Sequence, residues 1–156
     1  MSARRVIIYG NAGSGKTTMA RTLGLPHLGL DHIAWAETAV RKPLAESLAA
    51  LEAFLAAHAE WVIDGCYGDL VEAALPYCTE LRFLNPGVEA CVANCLSRPW
   101  EPSYCASPEE QRRLLGPLLD FVREYETRTD EYGLARHRAI FEGFAGAKKE
   151  YNGGGG

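Results

Sequence analysis

Gly10-Asn11-Ala12-Gly13-Ser14-Gly15-Lys16-Thr17 is the stretch that decides how this chain is read. It follows a short apolar run, Val6-Ile7-Ile8-Tyr9, and leads into a segment of helical character, Lys16 to Leu23. The residues match G-x-x-x-x-G-K-S/T between a strand and a helix, the setting in which that pattern forms a phosphate-binding (Walker A) loop rather than a glycine-rich turn with an incidental lysine. Each residue type has a task there: the glycines let backbone N–H groups approach triphosphate oxygens, Lys16 neutralises charge at the β and γ phosphates, and the Thr17 hydroxyl ligates Mg²⁺. Gly10, Asn11, Ala12, Gly13, Ser14, Gly15, Lys16, Thr17 and Thr18 are therefore the nucleotide-binding candidates, with the positive end of the helix opening near Gly15 adding to the field.

Outward from the loop, strand and helix signals alternate, the pattern of a largely parallel sheet covered on both faces. Strand one is Arg5 to Tyr9. A brief second strand lies near His27 to Leu30 and ends at Asp31. A helix opens at Pro43, a favoured first position, and carries Leu44, Leu48, Leu51 and Leu55 on one face. Strand three, Trp61 to Ile63, stops at Asp64-Gly65, and strand four, Leu81 to Leu84, stops at Asn85-Pro86-Gly87. Val88 to Ser97 reads as a helix, and the proline-interrupted segment 98–106 as a loop. Ser107-Pro108-Glu109-Glu110 is a capping box that starts a long helix, which Gly116-Pro117 should kink or interrupt. A last helix spans about Asp130 to Phe141, and Lys148 to Tyr151 makes a short polar edge strand.

With 156 residues, 47% of them hydrophobic, the chain suits one domain with a real core. The reading is a single domain over 1–151, with a lid at about 98–113 and a flexible glycine-rich tail at 152–156. There is no apolar run of membrane-spanning length, and the first strand begins within a few residues of Met1, so the expected setting is cytoplasmic without signal peptide or membrane. A net charge of −4 supplies no basic field for nucleic acid. Arginine is concentrated in one part: Arg98 to Arg138 holds seven arginines and no lysine, a choice that suits planar donors to phosphate or reflects base composition. Five cysteines without a C-x-x-C pair and four scattered histidines point to reduced thiols and no structural metal. Cys91 and Cys95 fall with Val88, Val92 and Leu96 on one helical stripe and read as core.

The P-loop on strand one, the acidic residue ending strand two, Asp-Gly ending strand three and the arginine-containing loop after the fourth strand's helix together resemble the P-loop kinase superfamily, which includes adenylate, shikimate and gluconate kinases. The patterns His27-Leu28-Gly29-Leu30-Asp31 and Trp61-Val62-Ile63-Asp64-Gly65-Cys66-Tyr67 are most similar to its short, adenylate kinase-like or topology-modulation members, over nearly the whole chain to Tyr151. The resemblance implies a three-layer α/β/α P-loop NTPase fold with strand order 2-3-1-4-5, a mobile lid after strand four, and transfer of the γ-phosphoryl group of ATP. Ligands of such sheets sit at the carboxyl ends of the strands, where Gly10, Asp31 and Asp64 all fall.

Thr17 and Asp64 are the metal candidates, Asp64 acting through water; a turn-capping Asp64 is the alternative. Asp31 stands where related kinases orient or deprotonate the acceptor hydroxyl, unless it only caps the next segment. Trp35, Tyr67 and Asp64 join it as acceptor-side candidates. Lys16, Asp31 and Arg98 are the catalytic candidates, Arg98 because it heads the lid and has no acidic residue one helical turn before it. Arg113 and Arg128 are weaker, having Glu109 and Glu124 four residues earlier. The Phe-Pro-Arg that follows Asp-Gly in adenylate kinases is absent, as are the acceptor-side arginines and Gly-Gly-Gly turn of shikimate kinases. With Asp31, Asp64, Asp69 and Glu72 nearby against Arg41 and Lys42, a neutral or cationic hydroxyl acceptor fits better than a strongly anionic one. A small-molecule kinase, monomeric or homodimeric, is the leading reading. A nucleoside monophosphate kinase and an ATP-binding regulatory protein with slow hydrolysis are the alternatives.

Overall fold

A computed structural model describes residues 3–35, 40–102 and 105–153. Its centre is β1 (Arg5–Gly10), whose Val6 to Gly10 are all buried because a strand lies on either side and helices cover both faces. The remaining strands are β2 (His27–Gly29), β3 (Trp61–Gly65), β4 (Glu80–Leu84) and β5 (Ala147–Tyr151). They form one five-stranded, all-parallel sheet in the order β2-β3-β1-β4-β5, as the resemblance implies. Among the described residues the seven α-helices are α1 (Lys16–Arg21), α2 (Asp31–Ala34), α3 (Leu44–Ala57), α4 (Gly68–Ala74), α5 (Val88–Ser97), α6 (Pro108–Arg123) and α7 (Leu134–Gly143), with a 3-10 turn at Leu75–Tyr77 after α4.

Strand alternation sorts the core onto two faces. Ile7, Tyr9, Ile63, Leu81 and Phe83 join Leu51 of α3, Leu70 and Val71 of α4 and Ile140 of α7 in the larger cluster. Val6, Ile8 and Val62 turn the other way, onto Ala20 of α1. Each buried aliphatic side chain of this kind contributes about 1.5–3 kcal/mol. The same alternation fixes the direction of Asp64: it pairs in register with Ile8 and, two residues beyond Val62, faces α1. A slip of one residue would send it to the opposite face.

Three expectations change. α4 has no counterpart in the sequence reading, because seven residues beginning with a glycine carry too little periodicity, yet its Leu70, Val71 and Ala74 are buried and it lies in the crossover that carries the chain from β3 past β1 to the parallel β4. α6 is not interrupted at Gly116-Pro117 but runs for 16 residues. Pro117 deprives the Arg113 carbonyl of its helical donor, and packing of Leu115, Leu118, Leu119 and Val122 on Cys91 and Cys95 offsets the loss. α7 begins at Leu134 rather than Asp130, because the Asp130 carboxylate accepts from the Tyr132 N–H at 3.1 Å and closes a turn before the helix starts. The expected lid divides: 98–102 and 105–107 lie outside helices, 108–113 belong to α6, and 103–104 lie outside the described residues, as do 154–156 of the tail.

Candidate active site

The phosphate loop is held from beneath by polar contacts to neighbouring helices. The Asn11 amide donates to the Val122 carbonyl of α6 at 3.1 Å, and the Asn94 amide of α5 donates to the Gly13 carbonyl at 2.8 Å. Gly13 has φ +80°, and a Cβ there would lie 2.5 Å from the Cys91 carbonyl oxygen, so only glycine lets the loop pack this closely on α5. Lys16 Nζ donates to the Asn11 carbonyl at 2.6 Å and so lies over the loop it belongs to. Asn11 Oδ1 and Ser14 Oγ are buried without a hydrogen-bond partner, leaving acceptor and donor capacity inside the loop.

Beside the loop, Thr17 Oγ1 donates to Asp64 Oδ1 at 3.4 Å, and His27 Nε2 of β2 lies against Asp64 Oδ2. Asp64 is almost fully buried and uses its side chain on α1 and β2, not to cap a turn. The Leu30 N–H donates to the Asp64 carbonyl at 2.8 Å and brings the next residue, Asp31, to the same sheet end. His27 was not legible as a partner, because the expected strand order sets β2 beside β3 without giving the register that brings its ring to Asp64.

On the α1 side of the loop a cavity of ≈ 780 Å³ is lined by P-loop residues, Thr18, Asn94, Arg98 and Tyr151. Arg98 is the C-cap residue of α5 and enters no ion pair among the described residues. Most other arginines of its stretch are engaged elsewhere: Arg112 with Glu109, Arg128 with Asp130 and Glu124, Arg136 with Glu72, Arg138 with Glu150. Glu72 is thereby a surface ion-pair partner rather than an acceptor-side charge. Tyr151 and Gly153 bring the C-terminal segment to the cavity wall.

A second cluster occupies the other side of the β3 carboxyl end. The Tyr67 hydroxyl donates to Asp31 Oδ1 and accepts from Trp35 Nε1 at 2.6 Å. Asp31 opens α2 without capping it through its side chain. Burial first, then Cys66 and Asp31, push the Tyr67 phenol far above its ordinary range, so it stays a donor to Asp31. Burial raises the neighbouring Cys66 thiol to about 12, which keeps it protonated and inert. Arg41, Asp69, Glu131 and Tyr132 complete this side. Arg41 Nη1 donates to Glu131 Oε1 at 3.1 Å, and the Asp69 N–H donates to Glu131 Oε2 at 3.3 Å. Glu131 and Tyr132 carried no sequence signal, since they reach the site from the α6–α7 connection.

The P-loop closing the central strand of a β2-β3-β1-β4-β5 parallel sheet decides the architecture. The fold is P-loop kinase-like. Neither a protein-family model nor a curated protein matches the sequence. Among solved structures, the chain is similar to a sugar kinase from Janibacter sp. HTCC2649 (16% identity, 76% of this chain and 91% of that one, TM-score 0.46). It is also similar to the shikimate kinases of Acinetobacter baumannii, solved with shikimate (20% identity, 88% and 91%, TM-score 0.46), and Bacteroides thetaiotaomicron (16% identity, 89% and 97%, TM-score 0.47). No helix among the described residues is long and apolar enough to cross a membrane.

Proposed function

We propose that the protein is an ATP-dependent phosphotransferase acting on the hydroxyl of a small molecule. The observation that carries this reading is the convergence, at one end of the sheet, of the P-loop, the Thr17–Asp64 pair and the Asp31–Tyr67–Trp35 cluster. The residues fit nucleotide and metal: the unpartnered Ser14 Oγ and Asn11 Oδ1 lie in the loop, and a hydroxyl paired with a carboxylate is the donor set of a Mg²⁺ that keeps most of its water and phosphate ligands. Thr17 would hold Mg²⁺ directly and Asp64 through water; when bound, the ion neutralises charge on the β and γ phosphates.

The chain's own groups then divide the work. Loop N–H groups and Lys16 bind the triphosphate, Lys16 moving from the Asn11 carbonyl to phosphate oxygen. The cavity beside Arg98 and Tyr151 takes the base and ribose, and Arg98 faces the phosphates from the lid side. Asp31, held by the Tyr67 hydroxyl, orients the acceptor and receives its proton. The bond between the γ-phosphorus and the bridging oxygen breaks as the acceptor oxygen bonds to phosphorus, and ADP leaves.

The test is ADP release from ATP and Mg²⁺ against pooled metabolites, nucleoside monophosphates included. A single acceptor should stimulate release far above a Lys16→Ala control. Stimulation by a monophosphate alone would make the protein a nucleotide kinase, and no stimulation by any pool would overturn the reading.

A further inference from the structure

The Asp31 cluster already contains a cation of the protein's own. The Arg41 guanidinium carbon lies 4.9 Å from the centre of the Tyr67 ring and 5.8 Å from the centres of both Trp35 and Tyr132. Three aromatic faces around one positive charge is the arrangement by which proteins recognise organic cations. The walls between the rings are acidic. Burial and the neighbouring Asp69 carboxyl push Glu131 up, and Asp31 lies on the far side of Tyr67. Two carboxyl groups, Glu131 and Asp69, thus act on a single guanidinium, with Asp31 behind the Tyr67 ring, and the surroundings carry more negative charge than one arginine offsets.

Two features separate this cage from an ordinary structural arginine. Its walls have ties of their own besides those to Arg41. Arg41 Nη1 donates to Glu131 Oε1 and to the Tyr132 hydroxyl, but Trp35 is also tied to Tyr67, Tyr67 to Asp31, Glu131 to the Asp69 N–H, and the Tyr132 ring packs edge-on against Tyr67 and Phe121. The guanidinium is also incompletely satisfied: Nη1 donates to Glu131 and Tyr132, but Nε is buried without a hydrogen-bond partner. Arg128 and Arg138, by contrast, stack on Phe121 and Phe83 and make paired contacts with Asp130 and Glu150.

We propose that the acceptor is an alcohol bearing an ammonium or guanidinium group, and that this group seats among Trp35, Tyr67 and Tyr132 in the place Arg41 holds, leaving the hydroxyl beside Asp31. The identity of the hydroxyl as phosphoryl acceptor rests on the phosphotransfer reading; the cation site does not. Arg41 then acts as an internal stand-in that keeps the cage neutralised between substrates.

The experiment titrates the protein, without nucleotide, with ethylguanidinium, tetramethylammonium, acetate and tert-butanol, following the ¹H–¹⁵N signal of the Trp35 indole, assigned with Trp35→Phe. Both cations should bind Arg41→Ala at least about tenfold more tightly than wild type. Glu131→Gln placed on Arg41→Ala should abolish the gain, and acetate and tert-butanol should move the signal in neither protein. If Arg41→Ala does not fold, Arg41→Met keeps the stem and removes the charge. Equal cation affinity in wild type and variant overturns the proposal. So does acetate binding that requires Arg41, which would make this arginine a receptor for an anionic acceptor. ADP release with amino and guanidino alcohols is read separately: cation binding without turnover of any such alcohol overturns the cationic acceptor and leaves the cation site standing, while phosphotransfer itself is overturned only if no metabolite pool stimulates ADP release.

Discussion

The P-loop and the Asp31 cluster lie at the same end of one sheet and are built by opposite means. The loop is eight consecutive residues most of whose contacts run to backbone: the Val122 and Asn11 carbonyls accept from its side chains, and its Gly13 carbonyl accepts from Asn94, with Thr17 to Asp64 the contact between side chains. The cluster draws Asp31, Trp35, Arg41, Tyr67, Asp69, Glu131 and Tyr132 from four separate segments, and most of its bonds run between side chains. In the proposed reaction the loop, through its backbone N–H groups, grips what every nucleotide shares, the phosphate chain. A site made of side chains is shaped for one molecule and changes with each substitution. The contrast explains why the donor side of the proposed reaction is specified so much more tightly than the acceptor side.

Substitutions on each side test whether the two regions are separable. The largest effect is expected at Asp31: Asp31→Asn should lower kcat by about 10²–10⁴-fold, as loss of a positioned general base does, while affinity for ATP, measured by calorimetry, is unchanged. An equal loss of ATP affinity would break the division. Next, Lys16→Ala should lower kcat by about 10²–10³-fold, in the range of one preorganised transition-state donor, and should do so with every acceptor tested.

His137 joins the regions. It is fully buried; its carbonyl accepts from the Tyr9 hydroxyl of β1 at 2.8 Å, and its Nε2–H donates to the Cys66 carbonyl at 2.9 Å, so Nδ1 accepts from the Tyr125 hydroxyl. Burial pushes its pKa from 6.5 down to about 4. A group lowered in the folded state stabilises fully above its unfolded pKa and loses that contribution as pH falls through the folded one. Stability should therefore fall by about 3 kcal/mol between pH 6.5 and 4 through this residue. In thermal unfolding, His137→Gln should be less stable at neutral pH but flatter across that window; an equally steep profile would place the acid sensitivity elsewhere.

The smallest effect is expected where the regions meet at Asp64. Asp64→Asn should raise the Mg²⁺ concentration needed for half-maximal ADP formation by about 10–100-fold, the cost of losing an outer-sphere carboxylate. The His27 contact to Asp64 Oδ2 gives a finer test: His27→Ala frees that oxygen, and the Mg²⁺ requirement should change in the opposite direction.

Five strands and five of the seven helices were legible because apolar periodicity and caps are local. The capping box of α6 is an example: Ser107 Oγ accepts from the Glu110 N–H at 3.1 Å. α4 was missed because its signal is shorter than two full turns, and α2 because four residues carry no period. In the site, Lys16, Thr17, Asp31, Asp64, Trp35 and Tyr67 were nameable from strand ends, whereas His27, Glu131 and Tyr132 were not. The interest of Arg41 was visible only as a charge, not as the occupant of an aromatic cage.

By itself the sequence determined the phosphate loop, because its parts are contiguous and each glycine answers a local backbone demand. It also determined the alternation of strands and helices, because burial on two faces imposes its own period. The tertiary structure alone decided what joins Asp31, Trp35 and Tyr67 from the rest of the chain. Residues 131 and 132 reach Arg41 from the connection between α6 and α7, 90 and 91 residues along the chain, and no local pattern encodes which rings and carboxylates that connection brings together.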